Sequence, residues 1–113
     1  MQQGAYKGFV MNKKNIIRDK NYLKFIRGLE CVVCGNPHVE AAHLRMNTDG
    51  GMGMKPSDCW VLPLCSAHHR LQHHIGEEKF WEGKDPHALC EDLYKVKGDI
   101  AKALSLIWSI QND

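Results

Sequence analysis

Cysteine, histidine and aspartate side chains are concentrated between positions 31 and 74 of this 113-residue chain. The segment opens with CVVC, continues through AAHLR and a glycine-rich stretch that ends in KPSD, and closes with LPLCSAHHRLQHH. These side chains outnumber the four ligands that one tetrahedral zinc ion needs. A structural metal would use only part of the set, so the surplus is where a reaction could take place.

Four of these residues have the spacing of a structural zinc site. Cys31 and Cys34 form a C-x₂-C pair, and Cys65 with His68 forms a C-x₂-H pair. Two such pairs, brought together by a fold, commonly hold one zinc ion. The sequence therefore predicts a structural zinc with the ligands Cys31, Cys34, Cys65 and His68. The spacing leaves open whether His69 takes the place of His68.

The surplus residues suit a second divalent ion and a general base. His69 and His73 are four residues apart, so on a helix they share one face and can bind one ion together. His43 ends a predicted strand, and Asp58 begins the next one. A neutral imidazole can take a proton from water, and a divalent ion can neutralise charge on a phosphate. This arrangement is typical of a metal-dependent phosphodiesterase.

The elements that must position these residues are predicted from periodicity and capping signals. They are a short helix over 19–29 with Asp19 as its N-cap, strands over 39–46 and 60–64, a helix to about residue 75 with Ser66 as its cap, and one or two helical turns over 77–82. A longer helix begins with Asp85 as its N-cap and Pro86 in its first turn. Its apolar stripe includes Ile100, and a kink or break is expected at Gly98. The class is therefore α+β. Cys59 and Cys90 are expected to be small buried residues, and His38 and His87 to lie on the surface.

Length and charge indicate one domain with a basic extension. We expect residues 1–17 to form a basic mobile arm and residues 18–113 a single domain, with its core at 31–76 and a helical part at 77–113. Residues 1–30 carry seven Lys or Arg against two acidic residues, a balance that suits contact with a nucleic-acid backbone. No apolar run approaches the roughly 20 residues of a membrane span, so an intracellular protein is expected.

The segment resembles the HNH, or ββα-metal, endonuclease superfamily in its zinc-knuckle form. More narrowly, it is similar to small phage and prophage HNH proteins, including the recombination enhancement nuclease family that depends on a recombinase. The resemblance covers about residues 18–82 and is carried by CVVCG, HLR, GGMGMKPSD and LPLCSAHH with a further histidine. It implies a small ββα-metal core with a zinc knuckle, flanked by a short N-terminal helix and a C-terminal helix.

The resemblance also implies roles for the surplus residues. His43 matches the general base, Asp58 stands where the family usually has Asn, and His69 matches the final motif histidine. His69, His73 and Asp58 would then hold the catalytic ion, Mg²⁺ or Mn²⁺ with Zn²⁺ as an alternative, and His74 competes with His73. Ala42 departs from the pattern, because many relatives place a metal-binding His or Asp there.

The leading interpretation is a metal-dependent DNA endonuclease of phage DNA recombination or processing, acting in the cytoplasm of a bacterial host cell. Cleavage would leave a 5′-phosphate and a 3′-hydroxyl, and a host recombinase filament is a candidate partner. Arg45, Lys55 and Arg70 are candidates for phosphate contacts. The alternative is a zinc-stabilised module that binds nucleic acid or a recombination protein without cutting, and Ala42 keeps that alternative open.

Overall fold

A computed structural model of the chain describes residues 16–51 and 53–112, so residues 1–15 of the predicted arm lie outside the described ranges. The elements follow in the order α1 (Lys20–Arg27), β1 (Glu40–His43), β2 (Val61–Leu64), α2 (Ser66–Ile75), α3 (Glu77–Phe80), α4 (Pro86–Lys95) and α5 (Ile100–Gln111). The predicted α+β class is confirmed: a small sheet of two strands is surrounded by helices. None of the helices in the described ranges is long and apolar enough to cross a lipid bilayer.

The two strands form an antiparallel pair at the centre of the molecule. Glu40 lies opposite Leu64 and His43 opposite Val61, and every residue of β2 is buried. The helices α1, α2 and α4 pack against this pair. A two-stranded sheet is marginal on its own, so these helices supply most of the burial that keeps it folded.

Strand β1 ends three residues earlier than predicted because a helix takes over its hydrogen-bonding groups. The carboxylate of Glu77 accepts the backbone N–H groups of Arg45 at 2.8 Å and Met46 at 2.7 Å. These two amides are therefore unable to continue a strand ladder. Helix α2 is linked to the same region through a buried hydrogen bond of 2.7 Å from the Trp81 indole N–H to Gln72 Oε1.

The predicted helix caps are confirmed at two of three positions. Asp19 accepts the N–H of Tyr22, and Asp85, followed by a proline, accepts the N–H of Ala88. Helix α2 differs from the prediction, because Ser66 is its first residue and Cys65 occupies the N-cap without a side-chain cap bond.

The predicted break at Gly98 divides the C-terminal helix into α4 and α5. Gly98 has φ +90°, a left-handed conformation that glycine adopts without the strain of a side chain. The break changes which residues of α5 face the core: Ala103 and Ile107 are buried, whereas Ile100 is 50% exposed. The expectation that Ile100 belongs to the apolar stripe is therefore wrong.

The folded part begins earlier than residue 18. Ile17 donates its N–H to Ser57 Oγ at 2.8 Å, and its carbonyl accepts the N–H of Asp58 at 2.8 Å. Ile17 therefore belongs to the folded domain rather than to the predicted arm, since both of its backbone groups are paired with the segment that precedes β2.

The turn between α2 and α3 generates a stability prediction. Gly76 has φ +90° and ψ 150°, a region that is essentially restricted to glycine. We expect Gly76→Ala to lower the free energy of unfolding by about 1–3 kcal/mol. Gly28→Ala is the matched control, because Gly28 caps a helix at φ −90°. Urea denaturation of both variants tests this, and an equal loss in the two would contradict it.

Candidate metal centre and the adjoining histidines

The four residues predicted to bind zinc converge on one point. One ligand atom from each of Cys31, Cys34, Cys65 and His68 lies within 4.8 Å of all the others. The Sγ atoms of Cys34 and Cys65 are 3.8 Å apart, and His68 Nδ1 lies 3.2 Å from Cys65 Sγ and 3.7 Å from Cys31 Sγ. A tetrahedral ion with metal–sulfur bonds of 2.3 Å requires sulfur atoms about 3.8 Å apart. The group could therefore hold a metal such as zinc.

Local hydrogen bonds hold the first cysteine pair opposite the second. The turn after Cys31 closes with a bond from the N–H of Gly35, whose φ is +79°, to the Cys31 carbonyl. The N–H of Val32 then donates to the carbonyl of Pro63 in β2. Because β2 leads directly to Cys65, this bond fixes the spacing between the two halves of the site.

Helix α5 braces the same turn from outside. Gln111 donates its side-chain N–H to the Cys31 carbonyl at 2.8 Å, and the Trp108 indole N–H donates to Glu30 at 2.9 Å. Trp108 remains 47% exposed. The C-terminal helix therefore contributes directly to the position of the first metal ligand, a role that its sequence did not indicate.

Cys31 differs in acidity from the two cysteines that lie outside the group. Burial by itself would raise the pKa of Cys31, but backbone N–H groups of Cys65, Cys34 and Val33 hold it below its ordinary value. This favours the thiolate, which is the form that binds metal. Burial raises the pKa of Cys59 to about 11, and it also raises that of Cys90. Cys90 is fully buried as predicted, whereas Cys59 is only half-buried.

His43 and Asp58 form a hydrogen-bonded pair at the end of β1. His43 Nε2 and Asp58 Oδ1 are 2.9 Å apart. The Asp58 side chain also accepts the N–H of Asp19 at 2.8 Å and a guanidinium N–H of Arg18 at 3.3 Å. Both carboxylate oxygens of this buried residue therefore form hydrogen bonds, and these bonds join Asp58 to His43 and to the start of α1.

The directions in which the pKa values of His43 and Asp58 are shifted indicate which of the two residues carries the shared proton. Burial by itself would raise the pKa of Asp58, but the Asp19 N–H, His43 and Arg18 hold it below its ordinary value of 3.8. Burial lowers the pKa of His43 below 6.5, with Lys55 and Arg18 adding to the effect and Asp58 opposing it. Near neutral pH an ionised Asp58 thus accepts the Nε2–H of a neutral His43. The lone pair of His43 is then on Nδ1.

His69 and His73 lie together on α2, as predicted, but Asp58 is not with them. The two imidazole rings are 4.9 Å apart, and Nδ1 of His69 is 2.7 Å from a carboxylate oxygen of Glu40. His69 is therefore not part of the group formed by Cys31, Cys34, Cys65 and His68. The ring next to that of His69 belongs to His73 rather than to His74. Within the described residues the cysteine–histidine group alone brings three or more possible ligands within 4.8 Å.

The predicted phosphate-binding residues differ in how available their side chains are to a phosphate. Lys55 and Arg70 are exposed. Arg45 is exposed as well, but its guanidinium donates to the carbonyls of Gly51 at 3.4 Å and Met54 at 3.2 Å. Arg45 therefore braces the glycine-rich loop, so a phosphate would have to compete with these bonds.

The glycine-rich loop is held by contacts that the sequence did not indicate. The Asp49 carboxylate accepts both the N–H and the hydroxyl of Ser57. A Cβ atom at Gly50 would lie 2.7 Å from Pro56, so this position has room only for glycine. His87, expected on the surface, is half-buried, and its Nε2 lies 2.6 Å from the Met46 carbonyl. The contact of His87 with Met46 spans 41 residues of chain, so no local pattern marks it.

The geometry predicts that the four-residue group contributes to folding. We expect wild-type protein to contain one zinc ion, and Cys31→Ser or Cys65→Ser to lose it and to unfold or be severely destabilised. The reason is that zinc binding contributes on the order of 10 kcal/mol to the folding of small zinc domains. Metal analysis and thermal unfolding by circular dichroism measure both effects. Cys59→Ser is the matched control, and a double variant of Cys31 and Cys65 that folds well without metal would refute the prediction.

Comparison with known proteins places the chain among proteins without an assigned function. A segment of 61 residues is 36% identical to the uncharacterized protein YdfU of Escherichia coli (strain K12), and it covers 54% of this chain but 17% of that protein. No solved structure shows a significant match. Residues 6–94 match the family described as "Protein of unknown function (DUF968)", a range that includes the metal group and the histidines of β1 and α2. The chain is therefore a member of the DUF968 family.

Proposed function

We propose that this protein is a metal-dependent endonuclease that hydrolyses phosphodiester bonds in DNA. The observation that carries the proposal is the 2.9 Å contact between His43 and the buried Asp58, which leaves a neutral imidazole with a lone pair on Nδ1. A general base needs this combination of fixed orientation and a pKa near or below the working pH. The resemblance to HNH nucleases supplies the substrate class.

In the proposed reaction, His43 Nδ1 takes a proton from a water molecule as the water oxygen attacks phosphorus. The bond from phosphorus to the 3′-oxygen breaks and the 3′-oxygen takes a proton from solvent water, which leaves a 5′-phosphate and a 3′-hydroxyl. Asp58 keeps the proton of the resting imidazole on Nε2, and its charge stabilises the imidazolium that forms. Asp58 is therefore a positioning residue in this proposal, and it replaces the earlier expectation of Asp58 as a ligand of the catalytic ion.

The catalytic ion, Mg²⁺ or Mn²⁺ with Zn²⁺ as an alternative, would be held by His69 and His73. Glu40 supports this assignment, because its carboxylate lies 2.7 Å from His69 Nδ1 and so leaves Nε2 of that ring as the ligand atom. Carboxylates commonly orient metal-binding histidines in this way. When bound, such an ion neutralises charge on the phosphate and on the leaving oxygen. The exposed Lys55 and Arg70 would add contacts to neighbouring phosphates.

A structural zinc on Cys31, Cys34, Cys65 and His68 completes the proposal. Cys65 immediately precedes α2, so an ion there would fix the start of the helix that carries His69 and His73. The ion would therefore position the histidines without taking part in the reaction. The proposed setting, phage DNA recombination with a host recombinase filament as a candidate partner, rests on the resemblance alone.

A non-catalytic binding module is the second candidate. The observation that favours it is Ala42, which is 2% exposed and faces the core, so that β1 offers no ligand at that position. A module would bind one zinc and DNA without a second ion. Titration of the zinc-loaded protein with Mn²⁺, followed by electron paramagnetic resonance, separates the two candidates: one Mn²⁺ that is lost in His69→Ala supports the nuclease, and no bound Mn²⁺ supports the module.

Removal of the general base is expected to abolish most of the activity. His43→Ala should reduce the rate of plasmid nicking in Mg²⁺ or Mn²⁺ by about 10²–10⁴-fold, the contribution typical of a general base. His38→Ala is the matched control, because His38 is exposed in the turn after the first cysteine pair. A folded His43→Ala protein that nicks DNA as fast as wild type would refute the assignment.

The pH dependence of nicking tests the His43–Asp58 pair. Because only the unprotonated imidazole is active, the rate should fall as the pH decreases through the pKa of His43, with a midpoint below 6.5. In Asp58→Asn the amide oxygen can still accept the Nε2–H, but the negative charge that raises the pKa of His43 is gone. The midpoint should therefore move to lower pH, and a midpoint that stays in place would contradict the proposed role of Asp58.

A further inference from the structure

The exposed face of α1 is a row of positive charges. Lys20, Lys24 and Arg27 are exposed and occupy positions i, i+4 and i+7, which lie on one side of a helix. The opposite side carries Tyr22 and Ile26, both buried in the core. We call these three basic residues the α1 basic row.

The charges of this row are not neutralised by acidic residues in the described part of the chain. Helix α1 contains no acidic residue, and Lys20 stands in its first turn, where a positive charge opposes the helix dipole, although Lys24 and Arg27 stand in its last turn, where the dipole favours them. The spacings between Lys20, Lys24 and Arg27 place like charges next to each other, which destabilises a helix. Among the described residues none of the three takes part in an ion pair. An anionic partner would supply the counter-charge that the described residues do not provide.

The α1 basic row lies beside the proposed active site at both ends. At the N-terminal end, the N–H of Asp19 donates to the carboxylate of Asp58, the partner of His43. At the C-terminal end, Arg27 lines a cleft of about 380 Å³ together with Glu40, the partner of His69. The row therefore runs from one half of the site to the other.

We infer that the α1 basic row is a docking track for the phosphate backbone of one strand of duplex DNA next to the bond that is cut. The inference rests on the proposed function for its choice of DNA. Seven residues of helix span about 10 Å, and one strand of a duplex carries a charge every 3.4 Å along its axis. The row is therefore long enough for its three charges to contact about three phosphates of one strand. Such contacts position DNA without reading its sequence.

DNA fits the row better than an anionic membrane does. A helix that lies on a membrane inserts an exposed apolar face between the lipids. The large apolar residues of α1 are instead buried or half-buried, because this side of the helix packs against the sheet. The accessible part of α1 is therefore charged and polar, as expected for a surface that contacts phosphates through water-exposed side chains.

Binding of a short DNA duplex at several salt concentrations tests the row. The triple variant Lys20→Gln, Lys24→Gln, Arg27→Gln should lose affinity on the order of 10²-fold at 0.1 M salt, and the slope of log K against log salt should become smaller by about 2.7, which is 0.9 for each phosphate contact. The matched control replaces the exposed Lys84, Lys95 and Lys102 of the C-terminal part with Gln. It should bind DNA almost as wild type does.

A single charge reversal separates DNA binding from a general loss of stability. Lys20→Glu places a negative charge in the first turn of α1, where it suits the helix dipole, and four residues before Lys24, with which it can pair. The melting temperature should therefore stay the same or rise, while the affinity for DNA falls. An equal loss of affinity in the row variant and the control would overturn the inference, as would an unchanged salt slope. Loss of binding to anionic phosphatidylserine vesicles but not to DNA would also overturn it.

Cleavage assays distinguish failure of the track from failure of the proposed function. In the row variant KM for plasmid DNA should rise while kcat at saturating DNA stays at the wild-type value, because none of the three residues contacts the reacting groups in the proposed mechanism. If wild-type protein binds duplex through the row but does not cut it, the nuclease proposal fails and the track stands. If it cuts DNA and the row variant binds normally, the track fails alone.

Discussion

The convergence of Cys31, Cys34, Cys65 and His68 on one point is the constraint on which the rest of the structure depends. The first pair belongs to the turn after α1 and the second to the junction of β2 and α2. A two-stranded sheet holds such distant segments only weakly. The bond from Val32 to Pro63 and the contact of Gln111 with Cys31 reinforce the same junction from two sides.

The buried carboxylate of Asp58 has a comparable role before the start of β2, whereas Cys65 follows the end of that strand. It joins the start of α1, the end of the glycine-rich loop and the imidazole at the end of β1. A buried charge is costly unless hydrogen bonds compensate it, and here both oxygens are bonded. Because its partners come from two segments that are distant along the chain, Asp58 couples the geometry of His43 to the correct folding of the N-terminal part. The proposed function and the fold therefore depend on the same residue.

Membership of the DUF968 family assigns no activity, so the functional argument rests on the site itself. The histidines of α2 lie beside the metal group on the same helix, and the general-base candidate lies on the strand that packs against that helix. An ion held by the three cysteines and His68 would control the position of α2. Glu77, at the start of the following helix α3, accepts the backbone N–H groups of Arg45 and Met46, which come shortly after His43. Structural and chemical features are thus built from the same short segment, between residues 31 and 77.

Local features were determined by the sequence alone. The two-residue gaps of the metal pairs, the aspartate caps of α1 and α4 and the break at Gly98 each depend on residues a few positions apart, where backbone geometry and side-chain hydrogen bonds act directly. The length of β1 was not predictable in this way, because Glu77, more than 30 residues later, takes the amides that would have extended it. The exposure of Ile100 likewise followed from how α5 packs after the break.

Only the tertiary structure decided which side chains meet. It placed His68 rather than His69 in the metal group, turned His69 towards Glu40, and gave Asp58 to His43 instead of to the histidines of α2. It also brought in Arg18, whose bond to Asp58 spans 40 residues of chain and has no local signal. Spacing along a sequence can state that ligands are available, but the pairing of buried charges depends on the packing of separate segments. The sequence thus determined which chemical groups are present, and the fold determined which of them contact each other.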